Sequence, residues 1–195
     1  MKKIILIAGI FALMSFSLIG NDNYVLLFEK SNNIKVFKYG KKYFYEYFLD
    51  EKKEINGNDY YVEIRKYSWG EIDTTYIRKT EFNYLQFNSK TKSESVLLPI
   101  QPKVGDNWIE NDGSWKYEVI ESGVSFKTPK RNYYDCILVS CKQITNRDSD
   151  KSEEYLLYYS KEFGFVGNVD NENNVLSFLN ELKLNTQKED KINVK

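Results

Sequence analysis

The sequence predicts an all-β fold: a large curved antiparallel sheet, half-barrel or barrel, of about ten strands built from two related halves. Three observations carry that prediction. Apolar and polar residues alternate with the strand period in the segments that follow residue 33, as in Trp115, Tyr117 and Val119 against Ser114, Lys116 and Glu118. Turn residues cut the alternating runs short at Asn56-Gly57-Asn58, Ser68-Trp69-Gly70, Asp112-Gly113, Ser122-Gly123 and Asn146–Asp150. Finally, one set of landmarks occurs twice in the same order, the second time with small insertions.

The first element is a basic pair, Lys2 and Lys3, followed by the apolar run Ile4–Ile19, broken only by Gly9, Ser15 and Ser17. This is the pattern of a signal peptide over residues 1–20, with small residues permitting cleavage after Ser17 or after Gly20. The run is shorter than the ~20 apolar residues that span a bilayer comfortably. An uncleaved membrane anchor is the alternative. Ser17-Leu18-Ile19-Gly20 approaches a lipidation signal, but Asn21 stands where an acyl chain needs a Cys thiol, so no lipid anchor is expected. Residues 21–33 form an N-terminal segment with the apolar island Tyr24–Phe28, compatible with a short helix or an edge strand.

A single β domain, residues 34–184, follows. In its first unit, residues 34–99, Gly40 precedes Tyr43, Tyr45 and Tyr47, then Asn58-Asp59-Tyr60-Tyr61, Thr75-Tyr76-Ile77 and Glu94-Ser95-Val96-Leu97. In the second, residues 100–184, Gly105 precedes Trp108, Trp115 and Tyr117, then Arg131-Asn132-Tyr133-Tyr134, Glu154-Tyr155-Leu156 and Asn173-Asn174-Val175-Leu176. Gly40 and Gly105 are expected at positive φ before a strand, with Tyr43 and Trp108 as the first core aromatics of each unit. Asn56-Gly57 is the strongest hairpin signal. Around Cys136–Cys141 both alternating faces are apolar, which predicts a central strand covered on both sides. Val175–Leu184 fits a helix face or a strand by periodicity, and a strand by analogy with Ser93–Leu98. The tail, residues 185–195, is polar and expected to be flexible. So large a sheet manages its edges by curling into a barrel or half-barrel or by splitting into a sandwich, and the curled sheet is the preferred expectation.

Acids and bases balance at 28 each, and loss of Lys2 and Lys3 would leave 26 bases against 28 acids. Neither balance is the basic footprint of a nucleic-acid partner. Cys136 and Cys141 would lie roughly 16 Å apart along an extended strand, where a disulfide needs less than about 7 Å. Their odd spacing also puts them on opposite faces, so two free, buried thiols are expected.

The phrases Leu98-Pro99-Ile100-Gln101-Pro102-Lys103-Val104-Gly105-Asp106-Asn107-Trp108, Asn132-Tyr133-Tyr134-Asp135-Cys136-Ile137-Leu138-Val139 and Glu153–Val166 resemble an uncharacterised, lipoprotein-like family of bacterial cell-envelope β-proteins with a repeated Lys-x-Gly-x-x-Trp/Tyr motif. That family is similar in outline to the curved-sheet carriers of lipoproteins. The resemblance implies a location in the cell envelope and no particular activity, and its motif residues, Gly40, Gly105, Trp108 and Trp115, are structural.

The chain contains no histidine, which removes Ser-His-Asp and Cys-His catalysis and most transition-metal sites. Zinc would require ligands from two cysteines that point apart. Nucleotide-binding fingerprints are absent from the sequence. Carboxylate pairs at Glu71 and Asp73 and at Glu153 and Glu154 are the only catalytic candidates, and solvated surface is their ordinary role. No catalytic residue, metal or cofactor is therefore expected. Aromatic placement is more suggestive. Tyr43, Tyr45 and Tyr47 share one face while Phe44 and Phe48 share the other, and Tyr155 and Tyr159 share a face with Leu157. Phe favours burial and Tyr tolerates a wet edge. The expectation is a Tyr-lined concavity in an exported, periplasmic or extracellular module that binds or carries a hydrophobic, lipid-like ligand. The alternative is a structural module that meets an envelope protein through a sheet edge or an aromatic patch.

Overall fold

The computed structural model describes Tyr24, residues 32–145 and residues 153–184. The predicted signal segment 1–20, most of residues 21–33, the predicted turn Asn146–Asp150 and the tail 185–195 lie outside the described residues. Twelve strands form one sheet: β1 (Asn33–Tyr39), β2 (Lys42–Ile55), β3 (Asn58–Tyr67), β4 (Ile72–Lys79), β5 (Asn83–Asn88), β6 (Ser93–Pro99), β7 (Asn107–Ile109), β8 (Trp115–Lys127), β9 (Asn132–Gln143), β10 (Glu154–Ser160), β11 (Gly164–Asp170) and β12 (Val175–Leu184). Twelve is two more than expected from the sequence. Strands as short as β7, with three residues, are too brief for alternation to reveal. The ambiguous segment Val175–Leu184 is a strand.

The strand order is β6-β5-β4-β3-β2-β1-β12-β11-β10-β9-β8-β7, antiparallel throughout. Every sequential pair except β6 and β7 is hydrogen-bonded, and β1 joins β12, so the sheet curls until its two edges approach. The result is a nearly closed barrel with a seam between β6 and β7. The Asn111 amide bridges that seam by donating to Ser95 Oγ at 2.9 Å.

Local chemistry explains the hairpins. Asn56 and Gly57 have φ of 53° and 76°, the paired left-handed residues that match the twist of a two-residue hairpin. Gly40, φ 56°, turns the chain between β1 and β2. Gly105, φ 96°, lies in the loop that enters β7, one strand earlier in its half than Gly40.

Following the strand directions, one end of the barrel carries the β2–β3 and β4–β5 turns and the β6–β7 loop. Apolar side chains seal this end: Phe48, Ile77, Tyr84, Leu98, Ile137 and Val139 pack together, joined by Tyr24. Tyr24 is pinned there, its carbonyl accepting from Tyr84 Oη at 2.8 Å and its amide donating to the Ile100 carbonyl at 3.3 Å. The opposite end carries the Gly40 turn and the loops at Ser68–Glu71 and Glu110–Ser114, and among the described residues it is open.

A second apolar cluster includes Phe126, Tyr133, Cys136, Val166 and Phe178. Three register shifts between Val119 and Phe126 bend the β8–β9 hairpin sharply. Its far part lies against β10, β11 and β12: Phe126 stacks on Tyr158 at 4.3 Å, and Tyr133 Oη donates to the Leu179 carbonyl at 2.8 Å. That covering buries Cys136 to Val139 without a break, and both cysteines are buried free thiols. Among the described residues no helix is long and apolar enough to cross a membrane.

Candidate functional site

Alternation along β2 sends Phe44, Glu46 and Phe48 to the interior and Tyr43, Tyr45 and Tyr47 to the outside. Above the apolar seal the barrel therefore contains a cavity of about 640 Å³, within the range of small-molecule sites. Phe44, Tyr67, Tyr117, Leu157, Tyr159 and Phe165 line it together with an unusual number of charged groups.

Sheet register creates a charged row across the inner wall. Lys35 of β1 lies directly opposite Glu46 of β2, Glu46 opposite Arg65 of β3, and Arg65 opposite Asp73 of β4. Direct cross-strand partners share a face, so the row alternates cation, anion, cation, anion along neighbouring strands. Arg65 Nε and Nη2 both donate to Glu46 Oε1, at 2.8 and 2.5 Å. Glu46 is 4% exposed, so this fork answers a charge that would otherwise be buried alone. Glu46 also holds the Arg65 guanidinium firmly protonated. Tyr67 Oη completes the row by donating to Asp73 Oδ2 at 3.0 Å.

Two charged groups on this wall, Lys35 in the row and Glu63 beside it, are poorly satisfied. Lys35 is 7% exposed, and its ammonium donates to the Phe165 carbonyl at 3.2 Å. Burial pulls its pKa down, against the opposing pull of Glu46 and Glu63. Glu63, opposite Thr75 and one step further from the open end, has no hydrogen-bond donor among the described residues. Burial, and then the Glu46 carboxylate, push its pKa up to about 7 despite Arg65 and Lys35.

The open rim is aromatic and acidic. Tyr67 and Trp69 meet at 4.5 Å between ring centroids, and Trp69 Nε1 donates to Glu71 Oε2 at 2.9 Å. Across the mouth, Tyr117 Oη donates to Glu110 Oε1 at 2.7 Å. Lys42 lies 4.7 Å from the Trp69 ring centre, on the ring face.

Of the tyrosines selected from the sequence, Tyr159 lines the cavity and is buried, whereas Tyr43, Tyr45 and Tyr47 lie on the far side of β2. Tyr155 lies on the inward-facing side of β10 and its ring is 6.1 Å from that of Trp115. Trp108 stacks on Tyr117 at 5.4 Å and packs against the apolar seal, a structural placement. Glu71 reaches the cavity and Asp73 ends the charged row, while Glu154 accepts from Ser140 Oγ at 2.5 Å on the other face. Sequence reasoning passed over Lys35, Glu46, Glu63 and Arg65. The signal available was Glu46 itself, a carboxylate between Phe44 and Phe48 on the face that Phe marks as buried. The chain matches no family model, and comparison with curated proteins and with solved structures yields no significant match.

Proposed function

We propose that the protein is an exported, non-catalytic binding or carrier module that takes a ligand with an apolar body into the open end of its barrel. The observation that carries this reading is the asymmetry of the two ends: one filled by the chain's own side chains, the other enclosing about 640 Å³. A packed core has few voids larger than a water molecule, so a space of this size needs a reason. Export is inferred from Lys2, Lys3 and the apolar run Ile4–Ile19. The resemblance to lipoprotein-like envelope proteins points the same way. Native mass spectrometry of gently purified protein is expected to show a small-molecule adduct that denaturation releases. Consistently bare protein counts against the reading.

Descent of the sheet from two related units belongs to the same proposal. It is supported by Tyr60-Tyr61 and Tyr133-Tyr134 falling in the third strand of each six-strand half, and by Tyr76 and Tyr155 falling in the fourth. Gly40 and Gly105, one strand out of step, weigh against a strict repeat.

A second reading, a module that pairs with an envelope protein, is favoured by one feature: β6 and β7 are the two ends of the sheet order, each with an edge outside the ladder. Crosslinking in the native envelope would favour it by yielding one stoichiometric protein partner.

A further inference from the structure

We propose that the ligand of this cavity carries a positive charge: it is an organic ammonium with an apolar body, its cationic head held between Glu63 and the aromatic, acidic rim. This inference rests on the cavity being the binding site.

The charged side chains that line the cavity are Lys35 and Arg65 against Glu46, Glu63, Glu71 and Glu110. The cations are engaged in part. Arg65 is committed to Glu46 through two donors, and Lys35 to the Phe165 carbonyl. Unfilled capacity is therefore mostly acceptor capacity. Glu63, half-buried, receives no hydrogen bond among the described residues and stands near the buried Glu46 carboxylate. An anionic head would find Lys35 and the exposed part of Arg65, but would pass Glu71 and Glu110 and meet Glu63. An ammonium instead supplies the donors and the charge that Glu63 lacks, in a charge-assisted bond. Ring faces at Tyr67 and Tyr117 attract a cation passing the rim, whereas Trp69 already carries Lys42. Phe44, Leu157 and Phe165 then offer an apolar wall to the rest of the molecule.

The assignment carries a pH signature. The groups that act on Glu63 are Glu46 from β2, Arg65 on its own strand, Lys35 from β1 and Tyr159 from β10, while Tyr67, Asp73, Glu110, Tyr117 and Cys141 stand elsewhere around the interior. Burial pushes Tyr117, Tyr159 and Cys141 upward, away from neutrality, and Cys141 reaches about 12. Glu63, at about 7, changes charge near neutrality, and burial draws the Lys35 pKa downward, so any loss of its proton as pH rises acts in the same direction. Ammonium binding should thus tighten as pH rises through that value.

Octylamine, octanol and octanoate share one chain and differ in head charge. Titrating each into the purified protein, followed by Trp fluorescence and calorimetry, tests the proposal. At pH 8 octylamine is expected to bind about tenfold or more tighter than octanoate, with octanol between them. At pH 5.5 the advantage should shrink to about threefold or less. Glu63→Gln should remove most of the preference and its pH dependence. Lys35→Met, which leaves Glu63 in place, should strengthen octylamine binding. It keeps the test intact if the first variant does not fold. Octanoate binding as tightly as octylamine to the wild type, or weaker octylamine binding by Lys35→Met, overturns the charge assignment while leaving the cavity as a site. Failure of all three compounds to bind overturns the binding-module reading as well.

Discussion

The wall built by β2, β3 and β4 and the wall built by β9, β11 and β12 belong to one barrel but are constructed differently. On β2 burial alternates: Phe44, Glu46 and Phe48 are buried and the tyrosines between them are not. Buried residues run consecutively on the other wall, as in Cys136–Val139 and Ser177–Leu179, because the bent β8–β9 hairpin covers its outer face. A wall packed on both faces is rigid and has no surplus polar groups. The wall of β2, β3 and β4 leaves its outer face to solvent, and on its inner face Glu46, Arg65 and Asp73 stand in register, continued by Lys35 of β1. The difference teaches that this barrel keeps its stability and its candidate chemistry in separate places.

That division can be broken from either side. Phe126→Ala should be the most damaging change. It removes the ring stacked on Tyr158 and opens a cavity over β11, costing about 3–5 kcal/mol in chemical denaturation. Gly167→Ala tests the same contact from below. A Cβ there would lie 2.4 Å from the Ser177 carbonyl oxygen and 2.6 Å from the Phe126 ring, so either the ring or the strand must shift. A loss of about 1–3 kcal/mol is expected, and Phe126→Ala should relieve part of it.

On the charged wall, Arg65→Met leaves Glu46 buried without its fork. Arg65 keeps solvent contact, with 38% of its side chain exposed, so the cost should be about 2 kcal/mol rather than the larger loss of a fully buried pair. Replacing Glu46 by Leu in the same chain should restore most of it, because a well-packed apolar pair substitutes for buried charge. If the double variant is no better than the single, the row holds the barrel together more than it serves a site.

Smaller and subtler is the pH dependence of stability. Glu63 has a folded pKa of about 7 against an ordinary 4.5, so the native state binds its proton more tightly than the unfolded chain does. Its stabilising contribution is complete below about 4.5 and is lost as pH rises through 7. The melting temperature should fall across that window in the wild type and change less in Glu63→Gln. The smallest effect expected is on thiol reactivity. Burial pushes Cys136 to about 11 and Cys141 to about 12, so neither should react with a thiol reagent at pH 7 until the protein unfolds.

Much of the scaffold was readable one segment at a time. Alternation at Tyr60–Ile64 and Trp115–Val119, the Asn56-Gly57 turn and the doubly apolar Cys136–Cys141 run all depend on a residue and its near neighbours. Such signals survive without tertiary information. The site was less readable for the opposite reason. Lys35, Glu46, Arg65 and Asp73 come from four strands, and nothing local says that they share a row.

By itself, then, the sequence determined that the chain makes strands, where the tight hairpins fall, and that the two cysteines cannot bridge along one strand. Period-two patterning states that neighbouring side chains part company but is silent on which of them points inward. Closure decided that, because only when β1 met β12 did one face of β2 become the interior. It turned Phe44 and Glu46 toward the cavity and Tyr43, Tyr45 and Tyr47 away. Pairing register, a property of two strands at once, then aligned the charges into a row.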